Sequence, residues 1–425
     1  MIFATCHILL YLLSLAGVVS AGFNPDSTKN IAVYWGQNSY GQGSGQLSQQ
    51  RLAYYCQNAN IDIIPIAFMN GITPPITNFA NAGDKCSVFT GTSVLSCPEI
   101  EEDIKTCQNK YGKTIIISLG GATYTQGGWA SPAAAQTAAQ LVFDMFGPVN
   151  TKAGVNRPFG SAVVDGFDFD FEATTNNVAT FAAYLRDLIT KSVAAGSKKL
   201  YMSAAPQCVY PDAANDAALK AAAFDFIMIQ FYNNWCGTSN FRQGTTAQYA
   251  FNFDVWDQWA RTVSKNPKVK LLLGIPASAG AGGGYTSGLQ LDSAIQWSKR
   301  YPSFGGIMMW DVSQLYANSG FHAEVSKYLG SQVPQMSVTA TAPTSTMTTT
   351  STAVMSLSTV IVPTTAVPTT AATVTTTTAV STRPTQVVGG VPQWGQCGGI
   401  GYNGPTQCQA PFTCTYVGDW WYSCK

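Results

Sequence analysis

Charge is scarce in this chain of 425 residues. Lys and Arg number 23, Asp and Glu 22, together 11% of the sequence, and the formal net charge is +1. Ordinary globular proteins carry about 25%. Without a basic run nothing neutralises a phosphate backbone, which argues against nucleic-acid binding. Without an acidic or polybasic block there is neither a solvating tail nor a membrane-surface anchor. Histidine is rarer still, His7 and His322 alone, and no Cys-x2-Cys pair occurs, so a zinc site lacks a ligand set. Asn-x-Ser/Thr sequons are absent, which excludes ordinary N-glycosylation. Long apolar runs are missing apart from residues 1–21, which are short for a span, lack basic flanks and close on Val19-Ser20-Ala21. That stretch reads as a signal peptide cleaved after Ala21, with a membrane anchor as the alternative.

What is present is aromatic and glycine-rich: 21 Phe, 19 Tyr, 10 Trp and 39 Gly, the composition of a folded chain. Of 11 Cys, Cys6 leaves with the signal and an even number remains. Cys56, Cys86, Cys97, Cys107, Cys208 and Cys236 lie in the body, and Cys397, Cys408, Cys414 and Cys424 crowd the end. Disulfides in an oxidising compartment account for them, so the mature protein is expected to be secreted, extracellular or held at a cell wall. Spacing alone leaves 15 pairings for the six in the body.

Composition divides the chain. Residues 337–386 hold 20 Thr, 6 Ser and 4 Pro with Arg383 as the lone charge. Such a stretch cannot bury a core and reads as an O-glycosylated stalk or a plain flexible linker. The expected organisation is a signal peptide (1–21), a body (22–330), a Ser/Thr/Pro-rich linker (331–390) and a small module (391–425). The body shows apolar strand candidates at 31–35, 61–69, 113–121, 162–172, 199–206, 224–232, 270–278 and 304–312, with helical stretches such as 132–146 and 177–196 between them. Near-continuous apolar strands alternating with helices mark a parallel sheet covered by helices, and eight of them close a (β/α)8 TIM barrel. A doubly wound open sheet is the runner-up, but YWGQNSYGQGSG after the first strand is no phosphate-binding G-x-G-x-x-G.

Four of the 22 acids fall within Asp165-Gly166-Phe167-Asp168-Phe169-Asp170-Phe171-Glu172. Side chains alternate along a strand, so Asp168, Asp170 and Glu172 share one face and the phenylalanines the other, stepping about 6.6 Å per pair. In a barrel the acids would line the interior and Glu172 would be nearest the C-terminal mouth, where barrel active sites sit. Three stacked acids cannot all ionise cheaply, so at least one holds a proton, which suits a general acid. The other strand ends bring neutral groups: Tyr34, Gln207, Gln230, Tyr232 and Asn233 as polar contacts, and Trp35 and Trp310 as flat faces, with Trp35 equally fit for the core. Strands five to seven offer no carboxylate, and only Asp311 follows strand eight. A lone acid without a partner implies that the nucleophile belongs to the substrate.

DGFDFDFE matches the D-x-x-D-x-D-x-E signature of glycoside hydrolase family 18, and the body resembles a class III (hevamine-type) chitinase. YWGQN (34–38), SLGG (118–121), AAPQC (204–208), QFYNN (230–234) and GGIMMW (305–310) match in order. The resemblance implies a (β/α)8 fold and retaining, substrate-assisted hydrolysis of β-1,4-linked N-acetylglucosamine chains. On it, Glu172 would protonate the glycosidic oxygen and later deprotonate water, while Asp170 would orient the acetamido group that attacks. Asp168 would share the Asp170 proton, Tyr232 would bond the acetamido oxygen, and Trp310 would floor the −1 sugar. Pairings Cys56–Cys107, Cys86–Cys97 and Cys208–Cys236 are implied as well. No cofactor or metal is called for, and a monomer is expected.

The last 35 residues are too few for a substantial core, so four Cys must staple them. Trp394, Tyr402, Trp420 and Trp421 are more aromatics than such a unit buries, and exposed rings stack on sugars. WGQCGGIGYNGPTQC resembles the fungal family 1 carbohydrate-binding module. That implies pairs Cys397–Cys414 and Cys408–Cys424, a face of Trp394, Trp420 and Trp421 with Gln396 at its edge, and chitin or cellulose as its surface. Gly418 and Ser423 depart from the usual Asn and Gln, which leaves that preference open. Rival readings keep the fold: an endo-β-N-acetylglucosaminidase acting on N-glycan cores, or a lectin-like or inhibitor barrel that binds without cutting. A cellulase would need the second carboxylate that strands five to seven do not offer.

Overall fold

A computed structural model describes residues 22–151, 153–330, 390–391, 396–398, 405–418 and 421–424. The signal and stalk assignments lie outside the described residues, as do Trp394, Tyr402 and Trp420. Eight parallel strands close a barrel: β1 (Asn30–Val33), β2 (Ile63–Met69), β3 (Thr114–Gly120), β4 (Gly166–Asp170), β5 (Tyr201–Ala204), β6 (Phe226–Gln230), β7 (Lys270–Pro276) and β8 (Phe304–Trp310). All eight sequence candidates are strands, trimmed at their ends, so the open doubly wound sheet is excluded. Helices follow them in turn: α1 (Leu52–Cys56), α2 (Pro98–Asn109), α3 (Pro132–Phe146), α4 (Val178–Ala194), α5 (Asp216–Ala221), α6 (Phe253–Thr262), α7 (Gly288–Ser298), α8 (Val312–Ala317) and α9 (Phe321–Gly330). Two short ribbons, Gly71–Ile72 with Pro75–Ile76 and Ser87–Val88 with Leu95–Ser96, extend the β2–α2 connection.

Alternation sorts each strand into two layers. Ile31, Val33 and Trp35 pack outward under helices, whereas Ala32 and Tyr34 face the interior with Ile116, Met228, Leu272 and Met308. Where β8 meets β1 the backbones approach closely at a glycine. Gly306 sits at φ +147° against β1, and a Cβ there would lie 1.9 Å from the Asn30 carbonyl oxygen. No other residue fits that approach.

On β4 the outward phenylalanines anchor the strand. Phe167 lies 6.1 Å from Phe143 of α3, and Phe169 lies 5.6 Å from Phe181 of α4 and 5.4 Å from Phe224 (ring centroids). Each is fully buried, worth about 1.5–3 kcal/mol. Helix starts are punctuated locally: Ser131 Oγ accepts from Ala134 N ahead of Pro132, and Asp311 accepts from Gln314 N to open α8.

The three body disulfides are Cys56–Cys107, Cys86–Cys97 and Cys208–Cys236, as the resemblance implied. The tail forms a three-stranded antiparallel sheet of β9 (Gln396–Gly398), β10 (Cys414–Gly418) and β11 (Trp421–Cys424), with β11 central. Cys397–Cys414 and Cys408–Cys424 staple it. Among the described residues no helix is long and apolar enough to cross a membrane.

Candidate active site

The cleft opens at the C-terminal ends of the barrel strands and encloses about 530 Å³, within the usual range for a ligand pocket. Tyr34, Gln207, Gln230, Tyr232, Asn233 and Trp310, expected from the strand ends, all line it, together with Asp170 and Glu172. No Lys, Arg or His is among its lining residues.

Strand register builds the base of the site. Asp168 is paired laterally with Ser118 on β3 and Ser203 on β5. Both hydroxyls therefore meet the carboxylate: Ser118 Oγ donates to Oδ2 and Ser203 Oγ to Oδ1, each at 2.7 Å. Tyr34 Oη donates to Oδ2 at 2.7 Å as well. Asp168 has no exposed surface. Burial pushes its carboxyl up, and the hydroxyl donors pull it back by favouring the ionised form. Three hydroxyls thus converge on Asp168.

Asp170, two residues on, has less help. Gln230 Nε2 donates to Oδ1 at 2.9 Å and also to the Ala205 carbonyl. Burial first, and then the charges of Glu172, Asp168 and Asp212, hold the Asp170 carboxyl well above the usual range. Of the two, Asp170 is thus pushed further toward its protonated form. Glu172 falls two residues past the end of β4, a small correction to the expectation of three acids within one strand. Its side chain reaches solvent at the mouth, yet the surrounding walls crowd it. Burial raises it to about 7, Gln230 opposes the shift by hydrogen bonding, and the Asp212 charge adds to it.

The floor is aromatic. Trp310 and Phe68 stack at 5.9 Å with a 19° interplanar angle, and Tyr34 meets Trp310 at 5.4 Å and 55°. Trp35, by contrast, is in the core with Nε1 bonded to the Gln50 carbonyl, which settles its two readings. Tyr34 is a floor residue whose hydroxyl is committed to Asp168. Tyr232 is buried, and burial followed by the Asp170 and Glu172 charges raises its hydroxyl, so it remains a neutral donor beside two acids. Asn233 (φ +57°) is engaged by the loop after β7: its N–H donates to the Gly283 carbonyl at 2.8 Å, and Gly283 N donates to its Oδ1 at 2.6 Å. Asp311 is a buried cap that accepts from Ser39 N, Ser313 Oγ and Gln314 N.

The connection after β5 places a further carboxylate behind the cleft lining, beyond the strand ends considered in the sequence. Asp212 is buried, accepts four N–H bonds, and its charge is felt by Asp170 and Glu172. It stands in an irregular segment where no periodicity points to it; the one signal was an Asp just ahead of a helix start. Ser118, Ser203 and Phe68 were likewise not singled out. Of the module face, Gln396 and Trp421 lie in β9 and β11 by backbone, while Trp394 and Trp420 are not described.

The sequence model for glycosyl hydrolases family 18 matches residues 30–287, and that for the fungal cellulose binding domain matches 393–421. Endochitinase 33 of Trichoderma harzianum is 59% identical over 315 residues, 74% of this chain and 96% of that protein. A class III chitinase of Arthroderma benhamiae is 46% identical over 343 residues, 78% and 96% of the two chains. Among solved structures, a chitinase from Ipomoea carnea superposes with a TM-score of 0.55 at 26% identity, covering 70% of this chain and 99% of its own. A xylanase and alpha-amylase inhibitor protein from Scadoxus multiflorus gives 0.54 at 27%, covering 72% and 99%.

Proposed function

Because the chain belongs to glycosyl hydrolase family 18, we propose that it is a secreted endochitinase acting by retention with the substrate's own acetamido group as nucleophile. The observation that carries this reading is the one-sided distribution of acid. Asp170 and Glu172 are the carboxylates lining the cleft, both from the end of β4, and none faces them across it. A retaining enzyme with a protein nucleophile needs a second carboxylate about 5–5.5 Å from the acid, and an inverting one needs it about 6.5–9.5 Å away. An N-acetyl group supplies what is missing.

In the first step Glu172 gives its proton to the glycosidic oxygen as the C1–O bond breaks, and the acetamido carbonyl oxygen closes on C1 from the opposite face. Asp170 orients the acetamido N–H and balances the charge of the resulting oxazolinium ring. Tyr232 donates to the acetamido oxygen before attack, and Trp310 supplies the apolar floor for the ring. In the second step the Glu172 carboxylate takes a proton from water, which attacks C1 and reopens the ring with net retention. Gln207, Gln230 and Asn233 provide polar contacts along the chain. The organisation proposed around this barrel is a cleaved signal (1–21), an O-glycosylated linker (331–390) and a polysaccharide-binding module (391–425). Five disulfides support an oxidising destination.

Since an inhibitor protein shares this fold, the acid row rather than the barrel supports catalysis. Glu172→Gln is expected to lower chitin turnover by 10³-fold or more, a loss of roughly 4 kcal/mol of barrier lowering, with chitin binding kept. Wild-type turnover in that variant would sink the proposal. Products from chitin oligomers, cellulose and a glycoprotein, identified by mass spectrometry, separate the substrate classes; trimming of the glycoprotein alone would replace chitinase by the N-glycan reading.

A further inference from the structure

We propose that Asp212 and Asn215 are positioning residues for Glu172, a buried anion and its amide relay that fix the backbone from which the acid projects. The inference rests on Glu172 as the proton donor.

Asp212 lies between β5 and α5, where its Oδ1 accepts from Ala214 N (3.1 Å), Asn215 N (2.6 Å) and Asn215 Nδ2 (3.0 Å). Its Oδ2 accepts from Gln207 N at 3.1 Å. Burial pushes the Asp212 carboxyl up, and the four N–H donors oppose that shift by favouring the ionised form. The Asn215 amide, itself fully buried, spends its second hydrogen on the Phe171 carbonyl at 2.9 Å. Phe171 is the residue before Glu172, and it is the point where β4 has ended and no ladder bond holds the chain. Asp212 therefore acts at two points. Through Asn215 it ties down the peptide leading into Glu172, and through Gln207 it holds a cleft residue whose Oε1 accepts from Asn234 Nδ2 at 3.2 Å.

The same anion has an electrostatic consequence. The titratable groups around Glu172 are Asp168 and Asp170 from the strand below it, Tyr34 from the end of β1, Tyr124 from the loop after β3, Tyr232 from the end of β6, and Asp212; no cation lines the cleft. Every charged group in that set is negative. Burial is the main reason the Glu172 carboxyl is raised, and the Asp212 charge, which does not line the cleft, adds to it.

The test compares Asp212→Asn and Asn215→Ala with wild type and Glu172→Gln, using a fluorogenic N-acetylglucosamine trimer between pH 4 and 9, with melting curves for each. In Asp212→Asn the high-pH limb of kcat/KM should move down by about half a unit or more, and kcat should fall at least about tenfold with KM within about twofold. Asn215→Ala keeps the anion, so the limb should stay and kcat alone should fall. If both variants fold and keep wild-type kcat and limb, the inference is overturned, while an inactive Glu172→Gln would leave the proposed function intact. If Asp212→Asn does not fold, Asn215→Ala decides: reduced kcat at unchanged KM supports the relay, and wild-type kcat overturns it. A Glu172→Gln enzyme with full turnover would remove the premise itself.

Discussion

Tyr34→Phe removes a single oxygen from the base of the acid row and tests whether hydroxyls set the position of its proton. The ring stays, with its 5.4 Å contact to Trp310, so the floor keeps its shape. What goes is the 2.7 Å donation to Asp168 Oδ2, one of three hydroxyl bonds to a carboxylate with no solvent access. A hydrogen bond to a buried charged group contributes about 1.5–3 kcal/mol. At 1.36 kcal/mol per factor of ten, its loss shifts the division of the proton between Asp168 and Asp170 by roughly 10- to 150-fold toward Asp168. Asp170 is then ionised more often before the substrate arrives, facing Glu172 as a second anion. We expect kcat on a soluble N-acetylglucosamine oligomer to fall about tenfold or more while KM changes little, with a melting temperature only a few degrees lower. Stopped assays across pH, set beside the thermal melts, separate the two effects. A folded Tyr34→Phe enzyme with wild-type kcat and an unmoved pH profile would refute the hydroxyl argument.

Wild-type kcat/KM should fall about tenfold per pH unit above about 7, because Glu172 must carry its proton to act and its carboxyl titrates there. A rate that keeps rising to pH 9 contradicts that assignment. Gly121→Ala places a Cβ 2.7 Å from Phe68 Cε2 at a backbone φ of +76°, so the Phe68–Trp310 stack must shift. KM should rise several-fold and stability should drop by about 1–3 kcal/mol, read by kinetics and denaturation. Trp394→Ala should leave turnover of soluble oligomers unchanged but reduce adsorption to insoluble chitin or cellulose about tenfold or more in a pull-down, since the module acts through effective concentration. Equal adsorption would detach that residue from the binding face.

The barrel was legible because its strands are buried on both faces and so run apolar without interruption, as IIPIAFM and KLLLGIP do. The acid row was legible for the opposite reason, a strict alternation of Phe and carboxylate that only a two-sided strand explains. Trp35 and Trp310 look alike in sequence, and only the barrel's curvature tells the helix-facing ring from the floor. Ser118 and Ser203 matter through lateral register, which one strand's sequence does not contain. Asp212 was missed because it projects from an irregular connection, where function depends on where the chain is pinned rather than on any period. The two-residue ribbons near 71–76 and 87–96 are too short to leave a pattern at all.

Asp168 is sealed, Asp170 is 3% exposed, and Glu172 alone meets water. The three acids form a closed-ended column with a single outlet. In the proposed cycle the proton that Glu172 gives up comes back by that same outlet, with the water that attacks C1.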